Sequence, residues 1–148
     1  MLKPTKILVP TDFSEYSDKA LKQGIDIARQ YNAQVYLLHV IPVELAHVVV
    51  DYAIPIEAIE TFEKQQTELA LENMKTQLAK FPEARGVEVF MDIGRGIAYD
   101  EILEEEERKG IDLIVIASLG RTGLAKYFIG SVARNVLIHA ICPVLLTK

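Results

Sequence analysis

A run of glycines late in the chain has the composition of an anion-binding loop. Gly120, Gly123 and Gly130 carry no Cβ, and Ser131 adds a hydroxyl directly after the last of them. Backbone N–H groups can approach a phosphate closely where no side chain intervenes, and a helix that begins there directs the positive end of its dipole at the same point. The segment therefore predicts a seat for a phosphate or a similar anion.

Two further features could complete such a site. Arg121 and Lys126 bring positive charge to the same segment, and an early loop carries Pro10, Thr11 and Asp12 directly after a short apolar run. The P-loop and the dinucleotide fingerprint both place their glycines after the first strand, where this chain has the early loop instead. Spacing alone leaves two simpler interpretations open, in which the glycines form ordinary turns and Asp12 caps a helix.

Strands and helices that alternate along the chain must position these loops. We predict strands over residues 7–9, 35–41, 87–91, 113–117 and 143–147, and helices from a cap at 12 or 14 to about 32 and over 56–81, 97–109 and 131–139. A turn is predicted over 94–96, and 42–55 stays unassigned. Nearly continuous apolar strands are typical of a parallel sheet covered on both faces. The pattern predicts an α/β fold with a five-stranded parallel sheet, doubly wound, whose ligands bind beyond the carboxyl ends of the strands.

Length and charge narrow the class of protein. The 148 residues suit one domain, expected to span 1–148, and a hydrophobic content of 50% suffices for its core. A net charge of −5 argues against a nucleic acid partner. No apolar run is long enough to span a membrane, and Cys142 is the only cysteine. We therefore expect a soluble cytoplasmic protein without a structural zinc site.

Several other polar residues have structural interpretations. His39 lies inside an apolar strand, Cys142 is interpreted as a small buried hydrophobic residue, and the acidic run Glu104–Glu107 is expected to form a solvated helix face. A phospho-acceptor domain would need paired acidic residues after the first strand and an acceptor aspartate after the third. Because Asp12 is solitary and Asp92 lies within a predicted strand, this class is disfavoured.

Four segments of the chain resemble the universal stress protein family, and specifically its ATP-binding branch. They are residues 6–14, 38–41, 120–133 and 139–146, so the resemblance spans the chain. The nucleotide motif of that family is G-x2-G-x9-G followed by serine or threonine. Gly120, Gly130 and Ser131 fit this motif, whereas Ala117 stands at the position of the first glycine and adds one methyl group there.

This resemblance implies a Rossmann-like fold of the adenine nucleotide alpha hydrolase type, with ATP as the ligand and Mg²⁺ or Mn²⁺ on its phosphates. It implies that Asp12 and the backbone around Val40 hold the adenine and ribose, and that Gly120 holds the ribose and the α-phosphate. Gly123 and the last glycine and serine of the motif would bind the phosphates. The full set of expected ligand-binding residues is Pro10, Thr11, Asp12, Val40, Ala117, Gly120, Arg121, Gly123, Gly130, Ser131 and Val132.

The resemblance also implies a function, that of a stress-responsive regulatory protein that binds ATP and changes state with occupancy. Asp12 is the only candidate base, so hydrolysis is expected to be slow or absent. The alternative is a dimeric interaction module of the same fold that does not use nucleotide, which Ala117 would favour. In either case the apolar strand 143–147 is expected at a sheet edge, where a second copy pairs with it to form a homodimer.

Overall fold

Strands and helices alternate through residues 1–43, 53–120 and 129–148, the part of the chain that the structure, a computed structural model, describes. In chain order the elements are β1 (Lys6–Pro10), α1 (Glu15–Tyr31), β2 (Gln34–Ile41), α2 (Ile56–Ala79), a 3₁₀ helix (Pro82–Ala84), β3 (Val89–Arg95), α3 (Ala98–Lys109), β4 (Leu113–Ala117), α4 (Ser131–His139) and β5 (Val144–Thr147). None of the helices in these ranges is long and apolar enough to cross a membrane.

The five strands form one parallel sheet in the order β3-β2-β1-β4-β5. The chain winds outward from β1 to β3, returns to the centre at β4, and winds the other way to β5. The predicted doubly wound α/β fold is therefore confirmed. Its winding reverses between β1 and β4, so the loops that follow these two strands lie side by side at the carboxyl edge of the sheet.

Both faces of the sheet are covered by helices. Along β1, Ile7 and Val9 point to one face and Leu8 points to the other, and all three are fully buried. Burial of each such side chain contributes about 1.5–3 kcal/mol to stability. The first face packs against α1 and α2 and the second against α3 and α4, through Ala20, Leu21, Ile25 and Met74 on one side and Ile102, Ala133 and Val136 on the other.

Helix α1 is tied closely to β1. Ser14 caps its first turn, because the side chain of Ser14 accepts a hydrogen bond from the backbone N of Ser17 at 3.2 Å. Of the two predicted caps, Ser14 is therefore the one used. Gly24 lets the helix approach the strand, since a Cβ there would lie 2.7 Å from a methyl carbon of Val9.

The predicted end of β3 is wrong. We expected this strand to stop at residue 91 and residues 94–96 to form a turn, but β3 continues to Arg95. Gly94 and Arg95 pair in register with Val40 and Ile41 of β2. The neighbouring strand offers unpaired backbone groups along its full length, and a local pattern cannot show how long that neighbour is. Helix α2 likewise ends at Ala79, two residues before its predicted end.

The predicted solvated face over 104–107 is also wrong for two of its four residues. Glu105 and Glu106 are 0% and 4% exposed. Glu105 forms an ion pair with Arg108 one turn along α3. Glu106 accepts hydrogen bonds from the backbone N of Ile141 at 2.8 Å and of Cys142 at 2.7 Å. Each buried carboxylate therefore has a partner that offsets the cost of removing it from water: Arg108 for Glu105, and two backbone N–H groups for Glu106.

Glu105 faces a second carboxyl group, that of Asp92 on β3. Glu105 Oε1 and Asp92 Oδ2 are buried and have no hydrogen-bond partner among the described residues unless a proton lies between them. Burial raises the pKa of Glu105, and a hydrogen bond with Asp92 raises it further, whereas Arg108 lowers it. Lys109 Nζ lies 4.0 Å from Asp92 Oδ2 and balances the remaining negative charge. Glu105 therefore keeps its proton to a higher pH than an exposed glutamate does, and its protonated carboxyl can donate to Asp92.

We predict that this pair makes stability depend on pH. Because the folded state holds a proton that the unfolded chain releases, the contribution of Glu105 is full below its ordinary pKa of 4.5 and is lost as the pH rises through the raised value. Glu105→Gln supplies an amide donor to Asp92 at every pH and should flatten the dependence. Urea unfolding between about pH 5 and pH 8 measures it. The exposed control Glu104→Gln should keep the wild-type slope, and an unchanged slope in Glu105→Gln would contradict the assignment.

Candidate functional site

A pocket of about 280 Å³ opens at the carboxyl edge of the sheet, where the winding reverses. Its volume is near the lower end of the roughly 300–1,000 Å³ of small-molecule sites. Leu38, Ile102 and Ile116 make part of its wall apolar. Nine of the eleven expected ligand-binding residues line it, namely Pro10, Thr11, Asp12, Val40, Ala117, Gly120, Gly130, Ser131 and Val132. The other two, Arg121 and Gly123, lie outside the described residues.

The early loop is held by the backbone and hydroxyl groups of Thr11. Its backbone N donates to the carbonyl oxygen of Leu38 at 2.8 Å, which joins the loop to β2. Its hydroxyl oxygen accepts from the backbone N of Phe13 at 3.0 Å. Phe13 has a φ of 65°, in the left-handed region that non-glycine residues seldom adopt. Thr11 therefore stabilises a sharp turn that presents Asp12.

The carboxylate of Asp12 has a local role and a position in the pocket. Its Oδ1 accepts a hydrogen bond from the backbone N of Ser14 at 3.0 Å, so it supports the start of α1 without being the cap itself. On the other side it faces Gly120, where an added Cβ would lie 2.8 Å from Asp12 Oδ2. The structural and functional interpretations of Asp12 are thus compatible, and the bare backbone at Gly120 leaves space for its carboxylate.

The described residues on the two sides of the segment 121–128 meet at the start of α4. The backbone N of Gly130 donates to the carbonyl oxygen of Ser118 at 2.7 Å, and a Cβ on Gly130 would lie 3.9 Å from the backbone N of Gly120. Gly130 is the cap residue of α4 and contributes no side chain to its first turn. The first-turn N–H groups of a helix lack partners within the helix, and here Ser131 and Val132 line the pocket. This end of the pocket is suited to an anion.

His39 supports the early loop from β2. Its Nδ1 lies 2.8 Å from the carbonyl oxygen of Thr11, and because a carbonyl only accepts, Nδ1 carries the hydrogen. Its ring centroid lies 4.4 Å from that of Phe13. His39 also lines the pocket. The structural interpretation of this residue is therefore correct, although no local pattern in the sequence indicates that it borders the candidate site.

The pocket wall also contains residues that the sequence analysis did not single out, notably Ser17, Ala98, Ser118, Leu119 and Ala133. Ala98 begins α3, which reaches the pocket only because of the way α3 packs on the sheet. Across the described ranges there is no group of three or more histidine, cysteine, aspartate or glutamate side chains placed to hold a metal ion.

The fold and the pocket define a class: doubly wound α/β proteins with a ligand pocket at the switch point of the sheet. The sequence model of the Universal stress protein family matches residues 4–148 of the chain. The chain belongs to the universal stress protein family, as its motifs predicted.

Relatives and solved structures agree with this assignment. The chain is 37% identical to universal stress protein MJ0531 of Methanocaldococcus jannaschii over 143 residues, which cover 97% of this chain and 81% of that protein. The solved structure of MJ0577, from the same organism, is similar with a TM-score of 0.83 and 33% identity and covers 99% of this chain and 97% of that one. UspA from Lactobacillus plantarum has a TM-score of 0.75 at 22% identity, with both chains fully covered.

Cys142 lies away from the pocket, between α4 and β5, and its surroundings suppress the thiolate. Burial raises the pKa of Cys142 to about 12, and the Glu106 carboxylate beside it acts in the same direction. A thiol in this environment is a poor nucleophile, because the thiolate is the reactive form. Cys142 is half-buried rather than buried, and it packs against the apolar cluster under α4, so the interpretation as a small hydrophobic residue holds for its packing and is wrong for its full burial.

We predict that iodoacetamide alkylates Cys142 in the folded protein at pH 8 roughly a thousandfold more slowly than in the urea-unfolded chain, whose thiol has an ordinary pKa near 8.5. Glu106→Gln should accelerate the folded-state reaction because it removes the adjacent negative charge. Glu107→Gln, an exposed change of the same charge, should have no effect. Equal alkylation rates in the folded and unfolded protein would contradict this account. Mass spectrometry of timed samples gives the rates.

Proposed function

We propose that this universal stress protein binds ATP in the pocket between β1 and β4 and acts as a regulatory module whose state depends on occupancy. The observation that carries the proposal is the meeting of three features in one pocket. They are the bare backbone at Gly120, the uncapped start of α4 at Gly130, and the carboxylate of Asp12. The first two suit a phosphate chain, and the third can accept hydrogen bonds from ribose hydroxyls.

The fit of a phosphate chain depends on the absence of side chains. A Cβ at Gly130 would lie 3.4 Å from the carbonyl oxygen of Ser118, which is ordinary van der Waals contact, so the position has room for one methyl group. A branched side chain there would occupy the space proposed for the phosphates. The hydroxyl of Ser131 and the first-turn N–H groups of α4 then supply donors. We also propose that Gly123 and Arg121, which the sequence analysis includes among the expected ligand-binding residues, bind the phosphates.

Ala117, the departure from the family motif, does not argue strongly for the alternative interaction module. The residue ends β4, where it pairs with Thr147, and its side chain packs against the apolar cluster under α1. The added methyl therefore has an apolar neighbourhood of its own at the edge of the pocket. The methyl group of Ala117 therefore does not by itself exclude a nucleotide from the pocket, and ATP binding is the function that we propose.

The base and ribose would occupy the β2 side of the pocket. The apolar side chains of Leu38 and Ile102 can pack against the faces of a purine, and the backbone of Val40 can form hydrogen bonds with its edge. Two structures of the same fold were solved with adenine nucleotides: a universal stress protein with cAMP, at 19% identity, and one from Archaeoglobus fulgidus with dAMP, at 21% identity. These likenesses establish the fold, and the choice of ligand for this chain rests on its own pocket.

The residues favour binding over catalysis. Among the described residues that line the pocket, Asp12 is the only carboxylate, and its Oδ1 is engaged by the backbone N of Ser14. Phosphoryl transfer needs a charge clamp and a group that orients the nucleophile. Mg²⁺ or Mn²⁺, if bound, would be coordinated by the phosphates and would supply the positive charge there. We therefore propose slow hydrolysis or none, in a cytoplasmic regulatory protein.

The proposal predicts that ATP stabilises the protein by mass action, so that its melting temperature rises with ATP concentration. Gly130→Val should raise the Kd for ATP by at least roughly a hundredfold, or about 2.8 kcal/mol, because the branched side chain fills the phosphate seat. Gly130→Ala is the matched control and should retain binding. Isothermal titration of the three proteins gives the affinities.

A second variant tests the carboxylate. Gly120→Ala places a methyl against Asp12 and should weaken binding because that carboxylate must move. Wild-type protein that shows neither a melting shift nor a titration signal at millimolar ATP, and that releases no adenine nucleotide on denaturation, would contradict the proposal and support the non-nucleotide interaction module. Wild-type affinity in Gly130→Val would mean that the phosphates lie elsewhere.

We further propose that two copies pair through β5. This strand is an edge of the sheet, and Leu145 on it is exposed together with Ile138 and Ile141 before it. Apolar groups around an unpaired strand edge favour association with a second copy.

Light scattering at micromolar concentration should give twice the mass of a single chain. Leu145→Lys should convert the protein to a monomer, because a lysine on the edge strand opposes pairing. Leu69→Lys, which changes another exposed leucine on α2, is the control and should leave the mass unchanged. A monomeric mass for the wild-type protein would contradict the proposed homodimer. If Leu69→Lys is monomeric while Leu145→Lys stays dimeric, the interface lies on α2 instead of β5.

A further inference from the structure

A chain of buried hydrogen bonds connects α2 with the early loop of the pocket. Gln77 on α2 is only 3% exposed, and Thr11 and Ser17 are buried beside it. Gln77 Oε1 lies 2.8 Å from Thr11 Oγ1, and Gln77 Nε2 lies 2.8 Å from Asp18 Oδ1 and 3.2 Å from Ser17 Oγ. Lys80, the residue directly after α2, pairs with the other oxygen of Asp18 at 2.8 Å.

The direction of each bond follows from the groups involved. Because the Asp18 carboxylate only accepts, it fixes the amide nitrogen of Gln77 on its own side and leaves Oε1 toward Thr11. Because the amide oxygen of Gln77 only accepts, the hydroxyl of Thr11 donates to it at 2.8 Å. Thr11 Oγ1 also lies 3.0 Å from Ser17 Oγ, whose own hydrogen goes to a backbone carbonyl at 2.8 Å. Thr11 Oγ1 remains free to accept from the backbone N of Phe13. Every polar atom in this network has a partner, and one amide group holds the network together.

The network acts on the part of the loop that faces the pocket. The left-handed φ of 65° at Phe13 is costly for a non-glycine residue and needs support from its surroundings. The bond from Phe13 to Thr11 gives that support, and Gln77 fixes the hydroxyl that accepts it. We propose that Gln77 is a positioning residue for the pocket, since through Thr11 it holds the turn that presents Asp12.

A consequence is that α2 and the pocket are coupled. A ligand that needs the turn in its present shape binds best when Gln77 is docked, and by thermodynamic reciprocity the bound ligand strengthens the docking of α2 by the same factor. This part of the inference rests on the proposed function. The docking of α2 on the early loop then depends on whether the pocket is occupied. Arg95 also ties α2 to the sheet, donating to the carbonyl oxygen of Glu63 at 2.6 Å and to Thr67 Oγ1 at 2.7 Å.

The test uses Gln77→Met, which keeps the length of the side chain and removes its hydrogen bonds. Backbone amide chemical shifts of Phe13 and Ser14 in the ligand-free protein should change, and the Kd for ATP should rise roughly tenfold, the loss expected for a few buried hydrogen bonds. Met74→Ala is the control, because Met74 is fully buried on the same helix and packs only in the apolar core. It should destabilise the protein while leaving both readouts near wild type.

Rescue separates positioning from general packing. Gln77→Glu combined with Asp18→Asn reverses the donor and acceptor between the two residues and keeps an acceptor for Thr11, but it does not replace the hydrogen bond to Ser17 Oγ. It should therefore return the loop shifts and the ATP affinity part of the way from the Gln77→Met values toward those of the wild type. The inference is overturned if Gln77→Met leaves the loop shifts unchanged, if Met74→Ala disturbs them equally, or if the double variant returns none of the change. Wild-type protein that does not bind ATP contradicts the proposed function alone, because the ligand-free shifts still decide the role of Gln77.

Discussion

Parallel pairing of β1 with β4 at the centre of the sheet is the constraint on which the candidate site depends. Asp112 fixes this pair at its amino end, where its carboxylate accepts from the backbone N of Thr5 at 3.0 and 2.9 Å and of Lys6 at 3.1 Å. The resulting register places Ile7 opposite Leu113. Because both strands then run in the same direction at the same rise per residue, the loops that follow them arrive together at the carboxyl edge.

Each of these loops supplies what the other lacks. The early loop brings a carboxylate on Asp12 and has no glycine, whereas the late loop brings backbone without a side chain at Gly120 and the start of α4 at Gly130. The 2.8 Å that would separate a Cβ at Gly120 from Asp12 shows how closely the loops approach. The universal stress protein family model, which matches residues 4–148, includes both loops.

The acidic residues of α3 show where local patterns mislead. A run of four glutamates predicts a solvated face, yet Glu105 meets Asp92 of β3 and Glu106 binds the backbone before β5. A buried charge is tolerated when it has donors or a shared proton, and those partners lie far away in the chain. Arg95 is a similar case, since the strand that contains it continues only because β2 continues beside it.

The amino-acid sequence by itself determined the alternation of strands and helices, the doubly wound class, the family and the two loops of the pocket. These properties depend on hydrophobic periodicity and on residues that lie close together in the chain. Only the tertiary structure decided that His39 borders the pocket and that Gln77 on α2 holds Thr11 from 66 positions away. Hydrogen bonds between distant residues form only after helices pack on the sheet, so no local pattern contains them.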